Sequence, residues 1–590
     1  MANLKAALTR PKVSEHYARN PFDRSYSVNT SYQLGGLEPF FAQPFIAGSH
    51  VKLNRAIFQR TADVNTAAFP KVDTHVEFFV VPIRLLWAYW NNFKLNIQDF
   101  NSANFGSLNS TSMDFTAYTP SLSYLDIHEV LRQLNNDRFQ SSALTPSTYF
   151  NYANTASSSA QSATVGAMRV LAGLGYGQYP FADMSSYDST GLPFHVNPLK
   201  LLAYQKVYYD HFRNTSYEPN DPSAYNIDDL ATSVKIPDKR LGKLMRYHYV
   251  NYRKDYFQSV YPSLNYVVSN PTGQTWTLPD TLVGRFGVGS TTNNTLPYTS
   301  GPGDVLVPTQ VGQTYNGFTS VQSIRAAFAL DKLLRASAFT PKHVKDQFEA
   351  RYGVKGVESG NESVRIAAFM NDIVIQEVVN QTATNSSGFS GLGQIGGKGI
   401  GFNGFGKDVE FTCKEDSIIL GVVYSLPRSS YDGTFVENWN AKLDREDFFI
   451  PEYMDLGMQP LLGHEMSILK RNNSNVLTPN WSSAAGLYAY KDRYSEYKVG
   501  IDRNLGNFIE EGVLTDFVVH SNGQWFTASG NSAINANYFK VKPNDMDSVF
   551  AQNTDTTDIT TDKFITHIDV RCICNQNISV HGQPRNGGLG

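Results

Sequence analysis

Apolar and polar residues alternate with a period of two in several stretches of the chain, which is the pattern of half-buried strands. In residues 72–82, Val72, Thr74, Val76, Phe78 and Val80 share one face, and a proline closes the run. Residues 409–425 and 564–574 have the same strand character, and the alternation around 51–54 predicts a partner strand for 72–82. We therefore expect residues 72–82, 409–425 and 564–574 to be strands of one antiparallel jelly roll.

Long connections separate these strands. Residues 101–190 are rich in Ser, Ala, Asn and Thr, residues 263–317 are dense in Gly, Thr, Pro and Asn, and residues 387–406 hold nine glycines. The first two predict insertions and the third predicts a loop whose backbone passes close to another group. Residues 1–45 predict an extended arm, and 46–590 one domain that the insertions interrupt.

The arm is mildly basic, with five cationic side chains: Lys5, Arg10, Lys12, Arg19 and Arg24. Two interpretations remain open, a solvated terminus or an arm that lies on phosphate or on a neighbouring subunit. The net charge of the chain is −3, so any contact with nucleic acid must come from such a local patch.

Helical periodicity is restricted to a few segments. It predicts helices at Leu192–Arg213, near 126–134, at about 320–336, and between Pro341 and Gly353. Strands and helices do not alternate regularly, which argues against a doubly wound α/β fold, and no repeat indicates a solenoid. An antiparallel β-sandwich or jelly roll with enlarged loops remains.

Composition agrees with a folded chain that buries much surface. Aromatic residues make up 13% and charged residues 17% of the 590 positions, which excludes a disordered protein and suggests burial between subunits as well. The three cysteines, Cys413, Cys572 and Cys574, are interpreted as core thiols in a reducing compartment. No signal peptide or membrane-spanning segment is predicted.

Motifs of enzymes and cofactor sites are incomplete. Gly391, Gly393 and Gly396 match G-x-G-x-x-G, but further glycines follow where a dinucleotide site needs a helix. His464-Glu465 and His128-Glu129 lack the second histidine of a zinc protease. The sequence therefore predicts no catalytic residue, no metal site and no cofactor.

Six motifs follow one another in a fixed order between residues ~50 and ~585: 60–69 with 77–87, 192–194 with 203–213, 253–257, 324–334, 490–498, and 569–572 with 582–584. Together they resemble the major capsid proteins of the Microviridae, the family of the phiX174 F-type capsid proteins. The gokushovirus-like branch of this family is the more similar one. The 101–190 insertion has no counterpart in these motifs.

The resemblance implies an all-β fold, a single eight-stranded antiparallel viral jelly roll with large loop and helical insertions. It also implies a structural protein of the virion, sixty copies of which close into a T=1 icosahedral shell around a circular single-stranded DNA genome. Assembly in the cytoplasm of a bacterial host, with minor pilot and scaffolding proteins, follows from the same resemblance, and membrane insertion does not.

Contact with a host receptor is implied as well. Either 263–317 or 101–190 is expected to project near a three-fold axis, and similar capsids carry their protrusion at the position of 263–317. Two other classes of function remain as alternatives: an all-β lectin-like receptor-binding protein and a polysaccharide-degrading β-protein. Closed particles in electron micrographs would separate the capsid protein from both.

Overall fold

The strands predicted from two-residue alternation form one large antiparallel sheet in the computed structural model of the chain. The structure describes residues 19–64, 71–95, 99–100, 117–118, 122–128, 130–131, 134, 157–177, 194–230, 234–262, 332, 340, 343–355, 360–379, 395–454, 457–471, 477–479, 486–509, 514, 534–556 and 558–580. Lys5, Arg10, Lys12, residues 263–317 and the helix predicted at 320–336, apart from Lys332, lie outside the described residues.

The described strands are β1 (Asn20–Asp23), β2 (Tyr26–Tyr32), β3 (Glu38–Phe45), β4 (His50–Thr61), β5 (Val72–Pro82), β6 (Asp99–Phe100), β7 (Ala117–Tyr118), β8 (Leu125–Asp126), β9 (His195–Val196), β10 (Val364–Val379), β11 (Ile395–Asn403), β12 (Val409–Thr412), β13 (Ser417–Pro427), β14 (Tyr431–Asp432), β15 (Met458–Leu462), β16 (Leu469–Arg471), β17 (Leu477–Pro479), β18 (Leu487–Asp492), β19 (Arg503–Asn504) and β20 (Phe564–Gln576). The described α-helices are α1 (Trp90–Lys94), α2 (Ser157–Gly173), α3 (Leu199–Val207), α4 (Asp238–Leu244), α5 (Val344–Tyr352), α6 (Gly463–Met466) and α7 (Ala536–Phe539). None of the helices that the structure describes combines the length and the apolar character needed to cross a membrane.

Ten of these strands make up the main sheet, in the order β1-β20-β4-β11-β10-β5-β13-β3. Strand β2 continues β1 along β20, and β12 follows β11 along β4, so the ten strands occupy eight positions. All three predicted strand regions are strands of this sheet, and 409–425 comprises two of them, β12 and β13. The strand at 51–54 is also present, but the prediction that it pairs with 72–82 is wrong, because β11 and β10 lie between β4 and β5.

The sheet is strongly curled, so that strands from its opposite edges meet. The ring of Tyr26 on β2 stacks on Phe41 of β3, with 5.5 Å between the ring centres. The inward side chains of all strands therefore face one interior. Its largest members include Phe78, which makes edge-to-face contacts with Phe40, Phe41 and Phe369.

The glycine-rich stretch 387–406 is not a loop throughout, because Ile395–Asn403 is strand β11 and pairs on both sides, with β10 and β4. The prediction of close backbone approach is correct for this strand. A Cβ atom at Gly399 would lie 2.7 Å from Thr61 Cγ2 and 2.8 Å from Ile373 Cγ2, and one at Gly401 would lie 2.7 Å from Asn371 Nδ2. Side chains on β4 and β10 fill the space that a larger residue on β11 would need.

The predicted helix Leu192–Arg213 begins later, at Leu199, and continues from Tyr208 to Phe212 as a π-helical turn. The side chain of Asn197 accepts a hydrogen bond from the Leu199 backbone N–H at 3.3 Å, which satisfies one of the free N–H groups at the start of the helix. Residues before it are extended because His195–Val196 pairs with β8. The helix predicted after Pro341 is α5, which ends at Gly353 in a left-handed conformation.

Helix α2 was not predicted from the sequence; it lies inside the 101–190 insertion and packs on β3. A Cβ atom at Gly173 would lie 2.0 Å from the carbonyl oxygen of Pro39, so glycine is required where the helix meets the strand. Val170 and Leu171 are fully buried. This part of the insertion belongs to the core and does not project. The short helix expected near 126–134 is present at 127–128, 130–131 and 134.

A buried ion pair joins α2 to the sheet. Arg169 donates two hydrogen bonds to the carboxylate of Asp562, at 2.6 and 3.0 Å. Glu38 on β3 is buried nearby, and burial raises the pKa of its carboxyl group to about 7, although the charge of Arg169 opposes the shift.

This raised pKa predicts a pH-dependent stability. The folded state holds the Glu38 proton up to about pH 7, whereas the unfolded chain releases it near 4.5, so wild-type stability falls as pH rises between these values. Glu38→Gln does not titrate, and its free energy of unfolding should exceed that of the wild type by up to about 3 kcal/mol at pH 8 and by little at pH 5. Unfolding at the two pH values measures this difference. The surface variant Glu410→Gln should show no gain at pH 8, and an equal difference at both pH values for Glu38→Gln would contradict the prediction.

Candidate nucleic-acid and assembly surfaces

Two of the five predicted nucleic-acid residues, Arg19 and Arg24, lie in the described part of the arm. Arg19 is exposed, and its Nε donates a hydrogen bond to Asn577 at 3.1 Å. Arg24 is half-buried against its own sheet, where it donates to the Pro44 carbonyl at 2.8 Å and to Gln43, and its guanidinium lies 4.6 Å from the ring centre of Phe45. Arg24 thus helps to bring the sheet edges together, whereas Arg19 remains at the surface.

In the half of the sheet that contains β5 and β13, another part of the same chain covers the outer face. The π-helical turn after α3 lies over β5 and β13. The ring of His211 is 4.7 Å from that of Phe79, and Phe212 is 5.4 Å from Tyr424. Strand β13 is consequently buried on both faces along its whole length, as its continuous apolar run predicts.

In the other half of the outer face, large apolar side chains are exposed among polar ones such as Arg60 and Lys398. Five side chains from four adjacent strands are between 44% and 70% exposed, and we call them the bare face: Phe58, Val374, Ile400, Phe402 and Ile565. Phe402 lies directly opposite Phe58, and Ile400 lies opposite Val374. Large aliphatic and aromatic side chains grouped in this way mark a surface that contacts another molecule.

Groups that could perform catalysis are held in structural roles. Among the described residues there is no group of three or more potential metal ligands. Glu465 is buried, forms an ion pair with Lys491, and accepts a hydrogen bond from the Tyr256 hydroxyl at 2.9 Å. After Gly396 the chain continues as strand β11 and not as a helix, so the G-x-G-x-x-G match lacks the geometry of a dinucleotide site.

The three cysteines lie in the core, as the sequence predicts. Each is a buried free thiol. Burial raises the pKa of Cys413 and of Cys572 to about 12, which keeps both in the unreactive thiol form.

Comparison with known proteins relates this chain to viral capsids. A family model described as "Capsid protein (F protein)" matches residues 12–155. Capsid protein VP1 of Bdellovibrio phage phiMH2K is 20% identical over 530 residues, which cover 84% of this chain and 83% of that protein. The chain is thus similar in sequence to a Microviridae capsid protein over most of its length. Capsid protein VP1 of Chlamydia phage 1 is 21% identical over 568 residues, with 83% and 84% of the two chains covered.

This relationship confirms the resemblance seen in the six motifs. Both relatives are named as capsid proteins, which are structural proteins of the virion and not enzymes, so the similarity is to a structural class of protein. The bare face was not predicted from the sequence. Phe58 and Phe402 were a signal in the sequence, because they interrupt the polar outward positions of their strands. The order of strands in the sheet is needed to show that the two side chains lie side by side.

Proposed function

We propose that this protein is the major subunit of a T=1 icosahedral shell that encloses a circular single-stranded DNA genome. The observation that carries the proposal is the similarity to two VP1 capsid proteins over more than four-fifths of the chain. The bare face supports it, because a shell subunit needs apolar surface that other copies bury. Sixty copies, formed in the cytoplasm of a bacterial host with pilot and scaffolding proteins, complete the proposed assembly.

A viral jelly roll is the proposed form of the curled sheet. Its ten described strands occupy eight positions, the number expected of one jelly roll. The sheet is antiparallel throughout, and connections of very different length join its strands. These features support the proposal together with the family relationship.

Electron microscopy of the purified protein, with a charge placed in the bare face, tests the shell. The wild-type chain should form closed isometric particles. Phe402→Glu should fold with an unchanged melting temperature, because the side chain is 70% exposed, and should remain unassembled, because a carboxylate would be desolvated between copies. Leu443→Glu, at an 88% exposed position outside the sheet, is the matched control and should assemble normally. Discrete wild-type monomers or trimers would contradict the shell and favour a lectin-like receptor-binding protein.

The basic arm is proposed to contact the genome. Lys5, Arg10, Lys12, Arg19 and Arg24 offer positive charge without sequence preference, which suits the packaging of any DNA segment. Of the described pair, exposed Arg19 fits this role better than Arg24, whose guanidinium is engaged within the sheet.

Neutralising the arm tests its role. Particles of a Lys5→Gln, Arg10→Gln, Lys12→Gln variant should contain less DNA than wild-type particles, because each lost cation removes one phosphate contact. The DNA content per particle is measured by absorbance and sedimentation. Intact shells with normal DNA content would show that the arm binds only neighbouring subunits.

Residues 263–317 are proposed to contact the host. They follow Asp255-Tyr256-Phe257, which is anchored by the buried ring of Phe257, and their polar composition suits an exposed location. Helix α2 removes residues 157–173 of the 101–190 insertion from consideration, since it packs in the core.

Deletion of residues 270–312, joined by a short Gly/Ser linker, should leave particle assembly intact and abolish adsorption to host cells. Binding of labelled particles to cells measures adsorption. A shortened particle that adsorbs normally would assign host contact to another surface.

A further inference from the structure

Arg55 is a buried cation on strand β4. Its side chain is 2% exposed, its Nη1 donates to the Asn403 carbonyl at 3.3 Å, and its guanidinium lies 4.8 Å from the ring centre of Phe369. Its Nε has no hydrogen-bond partner. Among the residues that the structure describes, no carboxylate oxygen lies within ion-pair distance of Arg55.

Other buried arginines in this fold are compensated. Arg169 and Arg240 are similarly buried, and each lies within 2.7 Å of a carboxylate oxygen, from Asp562 and Asp229 respectively. A buried guanidinium without such a partner loses its hydration, and no electrostatic attraction to a carboxylate offsets that cost. Burial accordingly lowers the pKa of Arg55 to about 10. An anion from outside the described chain would supply the missing ion-pair partner of the Arg55 guanidinium.

A cleft gives such an anion access to Arg55. It forms where β11 ends and β12 begins, so that residues 54–56 of β4 have no strand beside them on that side. Its volume is about 610 Å³, which is within the range of sites for small ligands. Residues from β10 and from the 403–409 connection line it, with Arg55 at its base.

The lining favours a nucleotide over a protein carboxylate. Exposed Lys407 adds a second cation, and the acidic residue of the lining, Asp408, is engaged by the Asn54 amide at 2.7 Å. Phe405 stands between two glycines that border the cleft and is 53% exposed. Cations beside an accessible aromatic ring are the features that bind single-stranded nucleic acid without sequence preference.

We propose that the Arg55 cleft binds one phosphodiester group of single-stranded DNA, with the adjacent base stacked on Phe405. The proposal rests on the proposed function, which places such DNA inside the shell. The guanidinium donates hydrogen bonds to the phosphate oxygens. The unpaired charge of Arg55 in the described chain is then the unliganded state of this site.

Arg55→Met separates this role from a structural one. Methionine keeps the apolar stem and removes the unpaired charge, so the melting temperature should be unchanged or higher. Fluorescence anisotropy with labelled ten-nucleotide oligo(dT) and full-length protein should show roughly tenfold weaker binding. The dependence of log K on log salt should become shallower by about 0.7, the value of one lost phosphate contact. Phe405→Ala should weaken binding without changing the salt dependence.

Two controls define the comparison. Arg169→Met removes a paired buried arginine and should lower the melting temperature, which Arg55→Met should not. Arg428→Met removes an exposed arginine that pairs with Asp502, and should leave oligo(dT) binding close to that of the wild type.

Unchanged affinity and salt dependence for Arg55→Met would overturn the proposal. An Arg55→Met variant that binds oligo(dT) normally but does not form shells would also overturn the proposal. That result would indicate that the cleft binds a carboxylate of a second copy of the chain. Failure of the wild-type chain to form shells is read separately by electron microscopy and contradicts the proposed function, whatever the DNA measurement gives.

Discussion

The fold depends on a set of buried hydrogen bonds that join strands from opposite halves of the curled sheet. Gln59 on β4 donates to the Tyr32 hydroxyl at 2.7 Å, and the Tyr32 hydroxyl lies 3.0 Å from the Ser425 hydroxyl. Ser425 in turn lies 2.8 Å from the hydroxyl of Thr74. Because buried polar groups are costly when unpaired, these contacts favour one curvature and one register among the many that an apolar interior would accept.

This closure determines how closely the strands of the sheet can pack. Strand β11 lies between β10 and β4, and the inward space beside it is already taken by Thr61, Ile373 and Asn371. Glycine at 399 and 401 leaves that space to its neighbours, and the hydroxyl of Thr61 accepts a hydrogen bond from the Gly399 backbone at 2.8 Å. Gly399 and Gly401 therefore serve packing on the inner side, while Ile400 and Phe402 project outward from the same strand.

The sequence predicted the parts of the fold in which one local pattern determines the result. Alternation in 72–82 and 564–574 gave two strands, because the inward and outward positions differ in polarity. Helix α2 was missed because Ser and Ala fill its first turns and its apolar residues gather at its C-terminal end. A local pattern also cannot predict which strands pair with each other. The neighbours of β4 come from residues about 340 and 510 positions later in the chain.

For the candidate site, residue type alone was a poor guide. The arm was selected for its positive charge, yet Arg24 proves to be engaged within the sheet, and Arg55 was overlooked because it occupies an inward position of a strand. Only three-dimensional contacts distinguish Arg55 from Arg169, which is equally buried but paired with Asp562. A cation matters for binding when its own chain leaves its charge uncompensated, and this property depends on the surroundings rather than on the residue.

The inward and outward faces of the sheet differ in how much they contribute to the stability of one subunit. Inward residues such as Tyr32 and Gln59 contact strands across the interior, so changes there alter folding. Outward residues on β5 and β13 are covered by the π-helical turn of the same chain and belong to the fold as well. The outward side chains of Phe58 on β4 and Phe402 on β11 are 46% and 70% exposed, so they contribute little to the stability of one subunit. Their large apolar side chains are therefore available for contact with another molecule.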